Sequence, residues 1–144
     1  MAATPPILYC ASAMNTADAF LARWHPIVRD KDLPALAAIL ADDITMGAPP
    51  YWSKLDGKDL VAHLLGIIIG TIEDFTYHRE WVAGAEIALE FHGHVGDDQL
   101  QGIDLITLNA AGQIRNLDVL IRPINSLLAL RDIVAPKMAT YLGG

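Results

Sequence analysis

Residues 102–123 read GIDLITLNAAGQIRNLDVLIRP. Apolar and polar positions alternate on both sides of Asn109-Ala110-Ala111-Gly112. A period of two sends successive side chains to opposite faces of a strand. Two such runs joined by a short connection ending in glycine make an antiparallel hairpin, with Gly112 in the left-handed position of a type I turn with a bulge. One residue interrupts the apolar face. Asp104 shares it with Leu100, Gly102, Ile106 and Leu108, and a carboxylate is seldom fully buried without a partner.

The alternation extends upstream. In EDFTYHREWV (73–82), Phe75, Tyr77 and Trp81 oppose Thr76, His78 and Glu80. In EIALEFHGHV (86–95), Ile87, Leu89, Phe91 and Val95 oppose Glu86, Glu90, His92 and His94. The connections AGA and GDD are short and carry glycine. Four consecutive antiparallel strands follow from this pattern.

Farther out the period becomes helical. Residues 15–30 repeat Ala17, Phe20, Leu21, Trp24 and Val28 behind Asn15 or Thr16 as cap, and Pro26 is expected to kink or end that helix. Residues 32–43 read as a second helix with Asp32 as cap and Pro34 in its first turn. Residues 44–48 read as a short strand and 49–57 as a loop with two prolines and two aromatics. Residues 58–72 form a third helix with Leu60, Leu64, Ile67 and Ile68 turned to the core. Residues 122–134 (RPINSLLALRDIV) close the chain as a helix that Pro123 opens and Pro136 stops. Helices gathered on one face of an antiparallel sheet make an α+β fold. The 144 residues suit one domain, with residues 1–13 as an N-terminal arm.

Composition narrows the function classes. Apolar residues make up 53% and charged ones 19%, far from a disordered composition. The net charge of −7 and the lack of basic clusters remove the driving force for binding nucleic acid or an anionic membrane. The lone Cys10 forms neither an internal disulfide nor a cysteine metal site, which points to a cytoplasmic protein. The apolar ILYC near the start lacks a preceding Lys or Arg, unlike a secretory signal, and LLGIIIG is too short for a membrane helix. No glycine-rich phosphate loop or nucleophile elbow occurs, so no cofactor is expected.

Three stretches together, ILADDITM (39–46), LDGKDLVAHL (55–64) and the opening stretch, resemble the nuclear transport factor 2-like superfamily in its SnoaL-like and ketosteroid isomerase-like branches. The resemblance spans about residues 14–135. It implies a cone-shaped, curved antiparallel sheet wrapped around helices, an apolar pocket, and a dimer. Members of that superfamily include isomerases, polyketide cyclases, dehydratases, epoxide hydrolases and binders without activity, so the fold does not choose a function. Asp104 falls where ketosteroid isomerase keeps its protonated oxyanion-hole aspartate. The tyrosine of that oxyanion hole falls on Trp24 and the general base on Ala48. The Arg and two Asp of the epoxide hydrolases fall on Phe91, Gly93 and Val119.

Asp104 therefore has two readings. Facing a pocket, it is a neutral donor to a carbonyl or a base of raised pKa; otherwise it is a structural carboxyl with a local partner. His63, an imidazole bordering the inward stripe of the third helix, is the second acid–base candidate. Tyr51 and Trp52 belong at the pocket mouth, as ligand contacts or as a loop capping the core. Trp24, Phe91, Leu117 and Val119 are lining candidates. A rival set, Glu90, His92 and Asp118, would suit acid–base or metal chemistry if the opposite sheet face lined the pocket. The apolar faces carrying Leu89, Phe91, Leu117 and Val119 favour placing that set outside. Arg122 is an anion anchor or an ion-pair partner of Asp118 or of a helix carboxylate. Ile103, Leu105 and Leu120, apolar yet outward, point to a homodimer through the outer sheet face. The expected function is proton-transfer chemistry (isomerisation, cyclisation or dehydration) on a small apolar oxygenated molecule. The alternative is a dimeric, non-catalytic binder or carrier of a small hydrophobic ligand.

Overall fold

The computed structural model describes residues 16–143. The arm, Cys10 and Asn15 lie outside the described residues. Helix α1 (Thr16–Asp30) and α2 (Leu33–Ala38) lead into β1 (Leu40–Gly47). A two-residue β2 (Leu55–Asp56) and α3 (Lys58–Thr71) follow. Then come β3 (Glu73–Ala83), β4 (Glu86–Val95), β5 (Asp98–Leu108), β6 (Ile114–Arg122) and α4 (Ile124–Gly143).

The six strands form one sheet in the order β2-β1-β6-β5-β4-β3. Strands β3 to β6 pair antiparallel with their chain neighbours, as the alternation predicts. The sheet is mixed, however, because β1 lies parallel to β6. The chain leaves β1, passes through α3 and four strands, and returns in the same direction beside it, which only a long crossover permits. The short β2 pairs with β1 inside the segment expected as loop.

Phe20, Trp24, Leu36, Leu40, Ile44, Leu89, Phe91, Ile106 and Leu117 fill the space between helices and sheet. Gly102 makes room there. It sits opposite Phe91 in the ladder, and a Cβ at 102 would overlap both the Phe91 ring and the Leu120 carbonyl oxygen. Gly112 adopts φ +79, the left-handed conformation expected of it.

Four local expectations change. Pro26 does not end α1, and Ile27 and Val28 beyond it are buried, so core packing holds the helix through the proline. Pro136 likewise sits inside α4; the carbonyl four residues earlier belongs to the exposed Asp132, where water can satisfy it. Helix α2 stops at Ala38, because the buried run Ile39-Leu40-Ala41 is recruited into the sheet. Asp32 does cap it, accepting from the Ala35 amide at 3.2 Å. In α3 the inward face is broader than expected: Val61, Leu65 and Ile69 join the buried Leu64, while Ile67 and Ile68 pack half-buried against the same core and Leu60 lines a cavity.

Strand β3 carries the fifth change. Its register against β4 shifts between Tyr77 and Glu80. Such a bulge exchanges the two faces beyond it. Trp81, expected inside, is therefore 48% exposed.

Candidate functional site

Asp104 sits in mid-β5 between Leu89 of β4 and Val119 of β6, on the face turned to the helices. It is 7% exposed. The Tyr77 hydroxyl donates to its Oδ2 at 2.7 Å. The Trp24 indole N–H in turn donates to the Tyr77 hydroxyl at 3.0 Å. Strand register places Tyr77 by pairing it with Phe91, and the ring stands edge-on to Phe75 and His25. Trp24 is held by stacking on Phe20.

The polarity of this chain is fixed. An indole only donates, so the phenol must accept from Trp24 and spend its own proton on Asp104. Burial drives the Tyr77 phenol well above its usual range, and the neighbouring Asp104 adds to this, so it stays protonated. Burial also raises the Asp104 pKa from 3.8 to about 7, the Tyr77 bond opposing. Near neutrality the carboxyl is thus divided between acid and base. No described residue bonds its Oδ1. When Asp104 is protonated, that oxygen can present an O–H to a ligand.

A cavity of about 580 Å³ opens between α3, α4, the 48–55 loop and β6, within the range of small-molecule sites. Leu64, Leu130, Val134 and Val119 form buried walls, and the exposed Tyr51 and Trp52 stand at the mouth. Asp104 is not on the wall itself; its ladder neighbour Val119 is. Ala48 lines the cavity, so a methyl occupies the position where the resemblance puts a general base. Among the described lining residues there is no Asp, Glu or His. Tyr77 instead borders a second cavity of about 470 Å³, more polar, with His25, Arg29, Lys31, Glu73 and Asp74 around it.

Of the lining candidates, Tyr51, Trp52 and Val119 reach this cavity, the main apolar one; a wider, more open hollow of about 1000 Å³ beside it shares those three side chains. Trp24, Phe91 and Leu117 do not; they are 2%, 2% and 1% exposed within the core. Trp24 is drawn to Tyr77, Phe91 fills the hollow left by Gly102, and Leu117 packs beside Met46. His63 is exposed on α3 and stacks on Tyr141 at 3.8 Å between ring centroids, so the structure brings it neither to Asp104 nor to the cavity. The residue that sequence reasoning missed is Tyr77. Its signal was present: a phenol on an apolar strand face needs a polar partner when buried, and so does Asp104.

The rival carboxylate set lies on the outer face. Glu90 is covered by Arg79, by His92 Nε2 at 2.9 Å and by Gln101 Nε2 at 2.6 Å. Arg79 first, then His92 and Gln101, pull its pKa down to about 2. Asp118 belongs to a separate group with Lys54 and Asn116. Arg122 bonds Gln101 at 3.0 Å and not Asp118. Among the described residues no three His, Cys, Asp or Glu side chains come together to hold a metal. No helix there is long and apolar enough to cross a membrane.

No family model and no curated protein matches the chain. Solved structures do. A steroid delta-isomerase from Pseudomonas aeruginosa shares 32% identity over 90% of this chain and 96% of its own, with a TM-score of 0.84. An uncharacterised bacterial protein with a cystatin-like fold, from Silicibacter pomeroyi, shares 36% identity over 82% of this chain and 84% of its own, with a TM-score of 0.79. A nuclear transport factor 2-like protein of unknown function from Mesorhizobium loti, 15% identical over 77% of this chain and 94% of its own, shares the fold at a TM-score of 0.66. With this sheet, the inward Asp104 and an isomerase of the same architecture at that identity, the chain belongs to the nuclear transport factor 2-like superfamily.

Proposed function

We propose that the main cavity receives a small apolar molecule carrying an oxygen function, and that the protein acts on it by cofactor-independent proton transfer, as an isomerase, cyclase or dehydratase. The observation that carries this reading is the buried Asp104, with a pKa of about 7, an Oδ1 that no described residue bonds, and a place one strand from the cavity wall. A group of that pKa gives and takes protons with equal ease at neutral pH. A ligand oxygen that reaches past Val119 meets Asp104, which as the acid donates to it and stabilises charge developing there as an enol forms. As the base it accepts the proton the ligand loses, or water entering at the mouth accepts it. Tyr77 is a positioning residue that holds Oδ2 and leaves Oδ1 to the ligand.

Ala48 favours a second reading, a non-catalytic binder. With no carboxylate or imidazole on the described wall, Asp104 would then anchor a ligand without converting it. The outward Leu105 and Leu120, 41% and 53% exposed, support pairing of two copies through the outer sheet face in either case.

The isomerase relative supplies the test reaction. Wild type and D104N are incubated with β,γ-unsaturated ketones of steroid and smaller ring size, following absorbance of the conjugated product. Conversion by wild type that falls at least a hundredfold in D104N supports catalysis. Binding by fluorescence quenching without conversion supports the binder. Conversion unchanged in D104N overturns the assignment of Asp104.

A further inference from the structure

Taking the main cavity as the ligand site, its wall carries one feature that an apolar ligand does not explain. Among the described lining residues a single side chain bears a full charge, Arg131 of α4. Its side chain is 40% exposed, so the charged end of this lining residue reaches solvent. Arg131 Nε and Nη2 both turn to Asp132 Oδ1, at 3.2 and 3.0 Å. No described residue bonds Nη1, which leaves one end of the planar fork open. The Asp132 side chain is 67% exposed, and an exposed pair of this kind is weak enough to yield to a better anion. The protein as a whole carries −7, so an anionic ligand meets general repulsion and needs a local cation to hold it.

The geometry points to an amphiphilic organic anion as the ligand class: an apolar body in the cavity, its oxygen function toward Val119 and Asp104, and a carboxylate or sulfonate at the mouth on Arg131. A guanidinium suits that role because its rigid fork matches a carboxylate or sulfonate edge. The competing account is that the Arg131 stem only covers apolar surface while its head sits in water.

Two fluorescent probes of nearly the same apolar body separate the accounts, anilinonaphthalene sulfonate and the neutral phenylnaphthylamine. R131Q is expected to weaken the sulfonate about tenfold and leave the neutral probe unchanged. R131K keeps part of the preference, and D132N, which frees the fork, tightens the sulfonate. Urea unfolding confirms that each variant is folded. Equal loss for both probes in R131Q, or no loss for either, overturns the anchor while leaving the cavity as the site. If neither probe binds wild type, or L64W (which fills the cavity) leaves both affinities unchanged, the cavity reading falls and the anchor with it.

Discussion

Replacing Asp104 by Asn tests the central feature of the site through stability, without any substrate. In the folded protein the carboxyl has a pKa of about 7 against an ordinary 3.8, because burial penalises its charged form more than the Tyr77 bond favours it. The folded state therefore holds the proton more tightly than the unfolded chain. The stability this gives is fully present below pH about 4 and is lost as the pH rises to and through about 7. The gap between the two values, at about 1.4 kcal/mol per tenfold, amounts to about 4 kcal/mol. Asn does not titrate, yet its carbonyl can still accept from Tyr77, so D104N resembles the neutral acid at every pH. Urea unfolding of both proteins from pH 4.5 to 8.5 should show wild type falling behind D104N by a few kcal/mol across that range. Glu90 lies on the other sheet face and Tyr77 stays protonated, so their contributions cancel in the difference. Equal pH dependence of the two proteins would refute the reasoning, since Asp104 would then titrate alike in both states and could not serve as a neutral donor near pH 7.

Tyr77→Phe removes the bond that holds the Asp104 pKa down, so the carboxyl should titrate above about 7, which carbon NMR of the side-chain carboxyl reads directly; an unmoved midpoint contradicts the network. The same change leaves the Trp24 indole without its acceptor and should cost about 1–3 kcal/mol even at pH 5, where Asp104 is largely protonated in both proteins. Glu90→Gln should give the opposite slope from D104N: the advantage of wild type is present above pH about 4.5 and shrinks as the pH falls through about 2, measured as the difference in Tm along an acid series. An advantage that grows toward acid would mean that Arg79, His92 and Gln101 do not favour the charged form.

The face of each central strand was legible because alternation runs through β4, through β5 and through β6 from Asn116 on, past an irregularity where Leu108 meets Ile114. That placed Asp104 inside and Glu90, His92 and Asp118 outside. The same rule failed in β3, where one extra residue past Tyr77 turned Trp81 outward; period two carries no record of a bulge. The cavity was less legible still. The Leu60, Leu64 and Ile68 side of α3 was already named as inward, but the wall also uses Met138 and Leu142 of α4, beyond a proline read as a stop. A proline ends a helix only when the freed carbonyl has nowhere to go, and at Asp132 it faces water. Tyr77 was visible as an inward aromatic, but its bond to Asp104 spans two strand pairings and depends on how far a curved sheet brings β3 over β5. No local pattern encodes that distance.

Glu90 and Asp104 show why the face matters more than the residue type. They are the same functional group on adjacent strands, Glu90 paired with Ile103 and Asp104 the next position along. Both are almost covered, at 4% and 7% exposure. Yet one is pulled to about 2 and the other pushed to about 7. Glu90 is covered by a guanidinium, an imidazole and an amide that all favour its charge. Asp104 is covered by Leu89, Val119 and a single phenol that brings no positive charge. Low solvent exposure alone therefore predicts neither outcome: Glu90 lies on the outer face under polar side chains and Asp104 deep between sheet and helices, and depth of burial together with the covering charge sets each pKa. A second donor at Oδ1 would lower the Asp104 pKa again; burial without a cationic partner among the described residues is what holds the carboxyl at about 7.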